Sequence, residues 1–389
     1  MAGRGARGPD PGESGADESG SPKTRPTPAR GVPRRADPGW RAADPASGVA
    51  TTPGRARTTI EQVAAAAGVS RSTVSRVANG STAVSPQALR AVEDAIARLG
   101  YVPNRAARSL AMRQTHAVAL IVPEDTARFF GDPYFGAVVA GISERISRSD
   151  YLLNLLVASD DPGGRVTGFV RNGGVDGAII LSHHTSDRFV DRIAEAVPVV
   201  FGGRPSTARE ADWIVDVDNV AGARAATEHL IRTGRRRIAT ITGPQSMAAA
   251  IDRLTGFRGA LAAAGLAPWA ELPGDYAEAD GARAAQTLLA RAGSGSALPD
   301  AIFAASDLMA RGALRTLRAA GVRVPEDVAI VGFDDSPVAL STDPTLTTIR
   351  QPMQEQGRML AEVLLDLLAG AEPPRRTILG TELVVRQSA

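Results

Sequence analysis

The sequence predicts an α/β protein with a small all-helical front and a larger, doubly wound body. Three observations carry that expectation. Residues 58–112 show short helical stripes with capping residues at their ends. The roughly 270 residues after Met112 alternate apolar runs with amphipathic stretches. Residues 1–57 show neither pattern.

In the first 57 residues, ten glycines and nine prolines surround only four large apolar residues, Met1, Val32, Trp40 and Val49. So little apolar surface cannot offset the entropy of ordering the chain, so 1–57 is expected to be a disordered tail. Its arginines suit a solvated tail better than a dedicated nucleic-acid contact. From Thr58, Ile60, Val63, Ala64 and Ala67 fall at helical spacing, with Thr59 placed to cap and Gly68 to stop the helix. Ser70 caps a second helix with Val74 and Val77 inward, and Asn79-Gly80 ends it. Ser85-Pro86 opens a third, with Leu89, Val92, Ile96 and Leu99 expected inside and Gly100 as the stop.

In the body, strands are expected at Ala117–Val122, Leu152–Val157, Gly177–Leu181, Pro198–Phe201, Arg237–Ile241, Ala301–Ala304, Val328–Gly332 and Leu383–Val385. Helices are expected at Tyr134–Ser149, Asp187–Ala196, Val220–Thr233, Ile251–Ala264, Asp280–Ala292, Asp307–Ala320 and Pro352–Ala369. Apolar strands without internal alternation, each followed by a helix, indicate parallel sheets covered on both faces. Two such runs suggest two subdomains, with ligands bound beyond the carboxyl ends of the strands.

Composition narrows the chemistry. The chain has no cysteine, which excludes disulfides, Cys-ligated metals and a thiol nucleophile. No apolar run reaches the roughly 18–20 residues of a membrane span, and no secretory signal opens the chain, so a cytoplasmic protein is expected. The overall charge of +2 hides an asymmetry: 1–57 and 58–115 each carry +4, and the remainder carries −6. A basic front on an acidic body suits a polyanion-binding module joined to something else.

The first two helices around Gly68 read as a helix-turn-helix, which lays its second helix in a DNA major groove. Arg71, Ser72, Ser75 and Arg76 lie off the Val74/Val77 face and can reach base edges; an arginine fork on guanine is worth about 1–3 kcal/mol of discrimination. Ser70, Thr73 and Asn79 suit phosphate oxygens, which set register but carry no sequence information. The DNA-facing set also takes in Thr59, Tyr101, Asn104 and Arg108.

The stretch TIEQVAAAAGVSRSTVSRVANGSTAVSPQALRAVEDAIARLGYVPNRAARSLAMRQT closely resembles the headpiece of the lac repressor/galactose repressor family. VALIVP, DPYF, VDGAIILS, GRRRIATITGP, VGFDDSP and TTIRQP follow in family order, so the similarity spans about residues 58–386. It implies a tail (1–57), a headpiece (58–103), a hinge helix and linker (104–115) and a two-subdomain core (116–389) of the periplasmic-binding-protein type. It implies that Asn104–Met112 becomes a hinge helix on DNA and that Leu110 wedges into the minor groove; such a wedge costs a few kcal/mol of unstacking, offset by contacts that bending allows. The implied partners are double-stranded operator DNA and a small-molecule effector, a sugar or nucleoside-like compound. Arg253 in IDRLTGF, Asp334 in GFDD and Gln351 in TTIRQP match effector-binding positions. Tyr276, Tyr134 and Phe135 match the aromatic walls. Ser306 stands where many sugar-binding members carry asparagine, which disfavours a simple hexose.

The four histidines show no HExxH spacing, and neither a GxSxG elbow nor a Walker loop occurs, so no enzyme, metal or cofactor is expected. A solute-binding protein would share the core but has no use for a headpiece. The chain ends close after its last expected strand without a heptad segment, which favours a homodimer acting at the nucleoid.

Overall fold

The computed structural model describes residues 58–78, 83–101, 114–205, 209–293, 295 and 297–389. The expected tail, Asn79 and the hinge residues Asn104, Arg108 and Leu110 lie outside the described residues.

Three helices lead: α1 (Ile60–Ala67), α2 (Arg71–Ala78) and α3 (Pro86–Leu99). Thr59 and Gln62 form a reciprocal capping box at the start of α1, and Gly68, at φ 68°, ends it in the left-handed region. Val63, Ala64, Val74, Val92 and Ala95 form the small core. Leu89 and Leu99, expected inside, are each 36% exposed. The cause is length: α3 runs roughly 21 Å against roughly 12 Å for each eight-residue partner, so its end turns overhang.

The body has two lobes. The amino-terminal lobe holds β1 (Ala117–Val122), β2 (Leu152–Val157), β3 (Gly177–Leu181), β4 (Val199–Gly202), β5 (Trp213–Val217) and β11 (Arg376–Leu379), in the order β11-β5-β4-β3-β1-β2 and wholly parallel. Its helices are α4 (Thr126–Gly131), α5 (Pro133–Ile146), α6 (Arg165–Arg171), α7 (Arg188–Ala194) and the late α13 (Met353–Leu368). The carboxy-terminal lobe holds β6 (Ile238–Thr242), β7 (Ala270–Pro273), β8 (Ala301–Ala304), β9 (Ala329–Asp334), β10 (Thr347–Arg350) and β12 (Glu382–Val384). Their order is β12-β10-β9-β8-β6-β7, parallel except for β12 against β10. Its helices are α8 (Asn219–Arg232), α9 (Ala248–Ala263), α10 (Glu278–Gly293), α11 (Asp307–Ala319) and α12 (Pro337–Leu340). The chain crosses between lobes three times: after β5, after β10 and between β11 and β12.

Both sheets are clad on both faces, which is why their strands read as unbroken apolar runs. Along β1, Val118, Leu120 and Val122 meet α5 and α13, while Ala119 and Ile121 turn to the face of α6 and α7. The α5–α13 pair packs backbone to backbone: a Cβ on Gly141 would strike the Gln354 carbonyl oxygen, and one on Gly357 the Val138 carbonyl oxygen.

Four strands and three short helices were not foreseen. β7 and β11 are four-residue sheet edges, and β10 is a polar TTIR; none offers an apolar run or strict alternation. β5 interrupts its apolar run with Asp216. α4, α6 and α12 span only one to two turns, too short for a stripe.

Candidate functional site

The headpiece builds its outer face from the turn. The Ser70 hydroxyl accepts from the Thr73 amide at 3.2 Å and lies 2.7 Å from Ser72 Oγ and 2.9 Å from Thr73 Oγ1. Ser70 therefore caps α2 while leaving the helix N-terminus open to an anion. Val74 is fully buried, and Arg71, Ser72 and Arg76 are exposed. Thr73 and Ser75 are half-buried. Arg71 Nε lies 3.3 Å from Glu61 Oε1 on α1, a pairing that sequence reasoning missed. Tyr101 packs on the small core, and Thr58 Oγ1 donates to the Leu99 carbonyl, tying the start of the unit to its end.

Between the lobes lies a cleft of about 700 Å³, counted out to solvent. All seven residues expected at an effector site line it: Tyr134, Phe135, Arg253, Tyr276, Ser306, Asp334 and Gln351.

Arg253, on α9, is 6% exposed and held on every side. Its Nε donates to Asn219 Oδ1 at 2.8 Å, its Nη1 to the Ala305 carbonyl at 2.6 Å, and Asp334 Oδ1 lies 3.7 Å away. The guanidinium sits 3.6 Å from the centre of the Phe333 ring. Gln351 Nε2 donates to Asp334 Oδ1 at 2.6 Å, and Asn219 Nδ2 donates to Asp216 Oδ1 at 3.1 Å. A continuous polar chain, Asp216–Asn219–Arg253–Asp334–Gln351, thus runs from the amino-terminal sheet through the carboxy-terminal lobe to a crossing segment. Burial pushes the Asp334 carboxyl well above the ordinary range against the pull of Arg253. Burial likewise raises Asp216 to about 6 and raises Asp132.

The aromatic walls differ. Tyr134 donates to Gln356 Oε1 at 3.2 Å, and Phe135 packs edge-on behind it at 2% exposure. Tyr276 is 9% exposed, holds φ 61°, and its hydroxyl has no hydrogen-bond partner. Burial raises both tyrosine pKa values, so both hydroxyls stay protonated; Tyr134 gives its proton to Gln356, and the Tyr276 hydroxyl is left to donate. Ser306 has a second duty: its hydroxyl caps α11 by accepting from the Met309 amide and donates to the Tyr276 carbonyl at 3.3 Å. The shorter side chain is consumed by the fold.

Sequence reasoning missed part of the lining, notably Arg128, Asp132, His183, Arg204, Asp216 and Asn219. Several follow the carboxyl ends of β1, β3 and β4, where parallel strands present their ligands. That rule could have flagged them; no local motif does. Burial lowers His183, whereas His184 is raised, first by its hydrogen bond to Glu124.

The chain matches two family models: bacterial regulatory proteins, lacI family, over residues 59–104, and a periplasmic binding protein-like domain over residues 227–389. It is 47% identical over 340 residues to the HTH-type transcriptional regulator CelR of Thermobifida fusca, covering 86% of this chain and 99% of that one. It is 34% identical to the ribose operon repressor of Escherichia coli K12, over 79% of this chain and 92% of the relative. Among solved structures, a CelR–cellobiose complex superposes with a TM-score of 0.67 at 44% identity, over 86% of this chain and 100% of that one. A lac repressor dimer bound to operator and the anti-inducer ONPF gives 0.74 at 29%, over 85% and 99%.

Proposed function

The chain belongs to the lacI family of bacterial regulatory proteins, and we propose that it is a dimeric, cytoplasmic operator-binding repressor, without catalytic activity, governed by a neutral sugar in the interlobe cleft. The observation that carries the sugar reading is the charge balance of the lining. Arg128 faces Glu124 and Asp275, Arg204 pairs with Asp252, and Arg253 faces Asp334. Among the described residues of the lining, no arginine stands without an acidic neighbour that would oppose a phosphate or carboxylate, while aromatic faces and fixed donors and acceptors suit a polyhydroxylated ring. Cellobiose, the ligand of the CelR complex, is the first candidate.

In this reading Arg71 and Arg76 read base edges, Ser70 and Thr73 meet phosphates, and Leu110 wedges the duplex. Effector favours one arrangement of the lobes, and operator affinity follows by differential binding, typically about 1–3 kcal/mol or roughly 5–150-fold. Calorimetric titration with cellobiose, glucose and glucose 6-phosphate, followed by operator binding with and without the ligand, tests it. Saturable heat for a neutral sugar and at least a fivefold change in operator affinity are expected. Heat from the phosphorylated sugar alone would overturn the neutral-ligand reading. In a parallel operator series, Arg76→Ala should relax base preference by roughly 5–150-fold at one position; unchanged selectivity would contradict the base-reading role.

A further inference from the structure

Arg128 carries information that no sequence motif marked. It projects from α4 into the cleft lining, and both lobes hold it. From its own lobe, Glu124 Oε2 stands 3.4 Å from Nε. From the opposite lobe, Asp275 accepts a hydrogen bond from Nη1 at 2.8 Å, and the Tyr276 ring centre lies 5.5 Å from the guanidinium carbon. Arg253 approaches the same ring at 5.7 Å, so Tyr276 has one guanidinium from each lobe beside it.

Glu124 is itself fixed. It is 6% exposed, accepts from Ser182 Oγ at 2.6 Å and lies 3.2 Å from His184 Nε2. The other ring nitrogen of His184 meets Ser246 Oγ of the carboxy-terminal lobe at 2.7 Å, and the Thr185 amide donates to the Ser246 carbonyl at 3.1 Å. The bracket around Arg128 therefore grips across the cleft at Ser246, Asp275 and Tyr276. Another cross-lobe arginine, Arg204, is 43% exposed against 15% for Arg128, but their acidic partners reverse the order, Asp252 at 24% and Asp275 at 63%; Arg128 is set apart by its second carboxylate, Glu124, and by its place beside the Tyr276 ring.

Two buried donors in this corner are under-used. The Tyr276 hydroxyl has no hydrogen-bond partner, and Arg128 Nε has only the 3.4 Å ion-pair approach of Glu124. Buried donors are rarely left so, and both line the cleft. A ligand hydroxyl satisfies such groups, and a site built to bond a hydroxyl strongly rejects the analogue that lacks it.

We propose that Arg128 is the specificity-determining residue of the amino-terminal lobe: it bonds an effector hydroxyl and, through Asp275 and Tyr276, couples occupancy to closure of the lobes. This rests on the sugar reading of the cleft for its first half and on the cross-lobe contacts alone for its second. The test uses full-length protein and cellobiose as probe. Because the chain has no cysteine, Asp150→Cys with Ala263→Cys gives one spin label on each lobe without background. Arg128→Ala should weaken cellobiose binding at least tenfold, and Arg128→Lys, which keeps the charge but loses the fork, at least fivefold. Without ligand, Arg128→Ala and the surface variant Asp275→Asn should both shift the interlobe distance distribution to longer values. Wild-type cellobiose affinity in Arg128→Ala overturns the ligand contact. A wild-type distance distribution in both Arg128→Ala and Asp275→Asn overturns the clasp. If the wild-type protein itself binds no sugar, the sugar reading fails, and the distance measurement still decides the clasp.

Discussion

The two walls of the cleft are held together differently. On the carboxy-terminal wall, Arg253, Asp334, Gln351 and Ser306 are 2–7% exposed, and they bond chiefly to one another and to Asn219, Ala305 and Tyr276 nearby. On the amino-terminal wall, Arg128 and Arg204 find acidic partners across the gap in Asp275 and Asp252, and the adjoining His184 reaches Ser246. A wall satisfied from within keeps its geometry when the lobes part. A wall satisfied from the opposite lobe must rearrange. The first is built to recognise a ligand and the second to report it, which is how a small molecule acquires different affinity for two conformations.

Arg253→Ala should produce the largest effect, because it removes the centre of the internally bonded wall. It strips Asp334 of its cation and Asn219 of its donor, and breaking a buried pair from one side costs about 3–5 kcal/mol. Effector binding measured by calorimetry should fall more than a hundredfold, with a lower melting temperature. A normal dose response would mean that this wall does not recognise the ligand.

The reporting wall should show its own pH dependence. His184 has a raised pKa in the folded protein, chiefly from its bond to Glu124, so its protonated form favours the clasped structure. That contribution is complete below the ordinary histidine value of 6.5 and is lost as pH rises through the raised value. His183 is shifted the other way by burial and costs stability only on the acid side. Melting temperature should therefore decline above pH 6.5, and His184→Gln should flatten that decline; an unaltered profile would remove His184 from the clasp.

Arg204→Ala should matter least. Its pair with Asp252 is half-open to water, so a stability change of about 0–1 kcal/mol is expected in denaturant unfolding. A loss several times larger would place the reporting contact at Arg204 instead of Arg128.

The same contrast governs what the sequence disclosed. Arg253, Asp334 and Gln351 each sit in a local pattern, IDRLTGF, GFDD and TTIRQP, and so were found. Arg128, on the short α4, and His183 and Arg204, in strand-end loops, have neighbours that say nothing distinctive; only the assembled sheets bring them to one mouth. In the fold, the long periodic helices and β-branched strands are legible: β1, β2, β3 and β8 match the expected bounds, and the ends of the others lie within three residues of them. β7, β10 and β11 were not, because four-residue edge or polar strands are specified by their sheet neighbours. Leu89 and Leu99 show the limit of periodicity: it gave the direction of the face but not where the partner helices end.

Hydrogen exchange of the full-length protein with and without saturating cellobiose tests the division of labour most directly. New protection should concentrate in the amino-terminal segments Glu124–Arg128, His183–Asp187 and Gly203–Arg204. The amides of Asn219, Ser306 and Asp334, already buried in an internally bonded wall, should change little. Protection gained mainly at those three, with the amino-terminal loops unaffected, would contradict it.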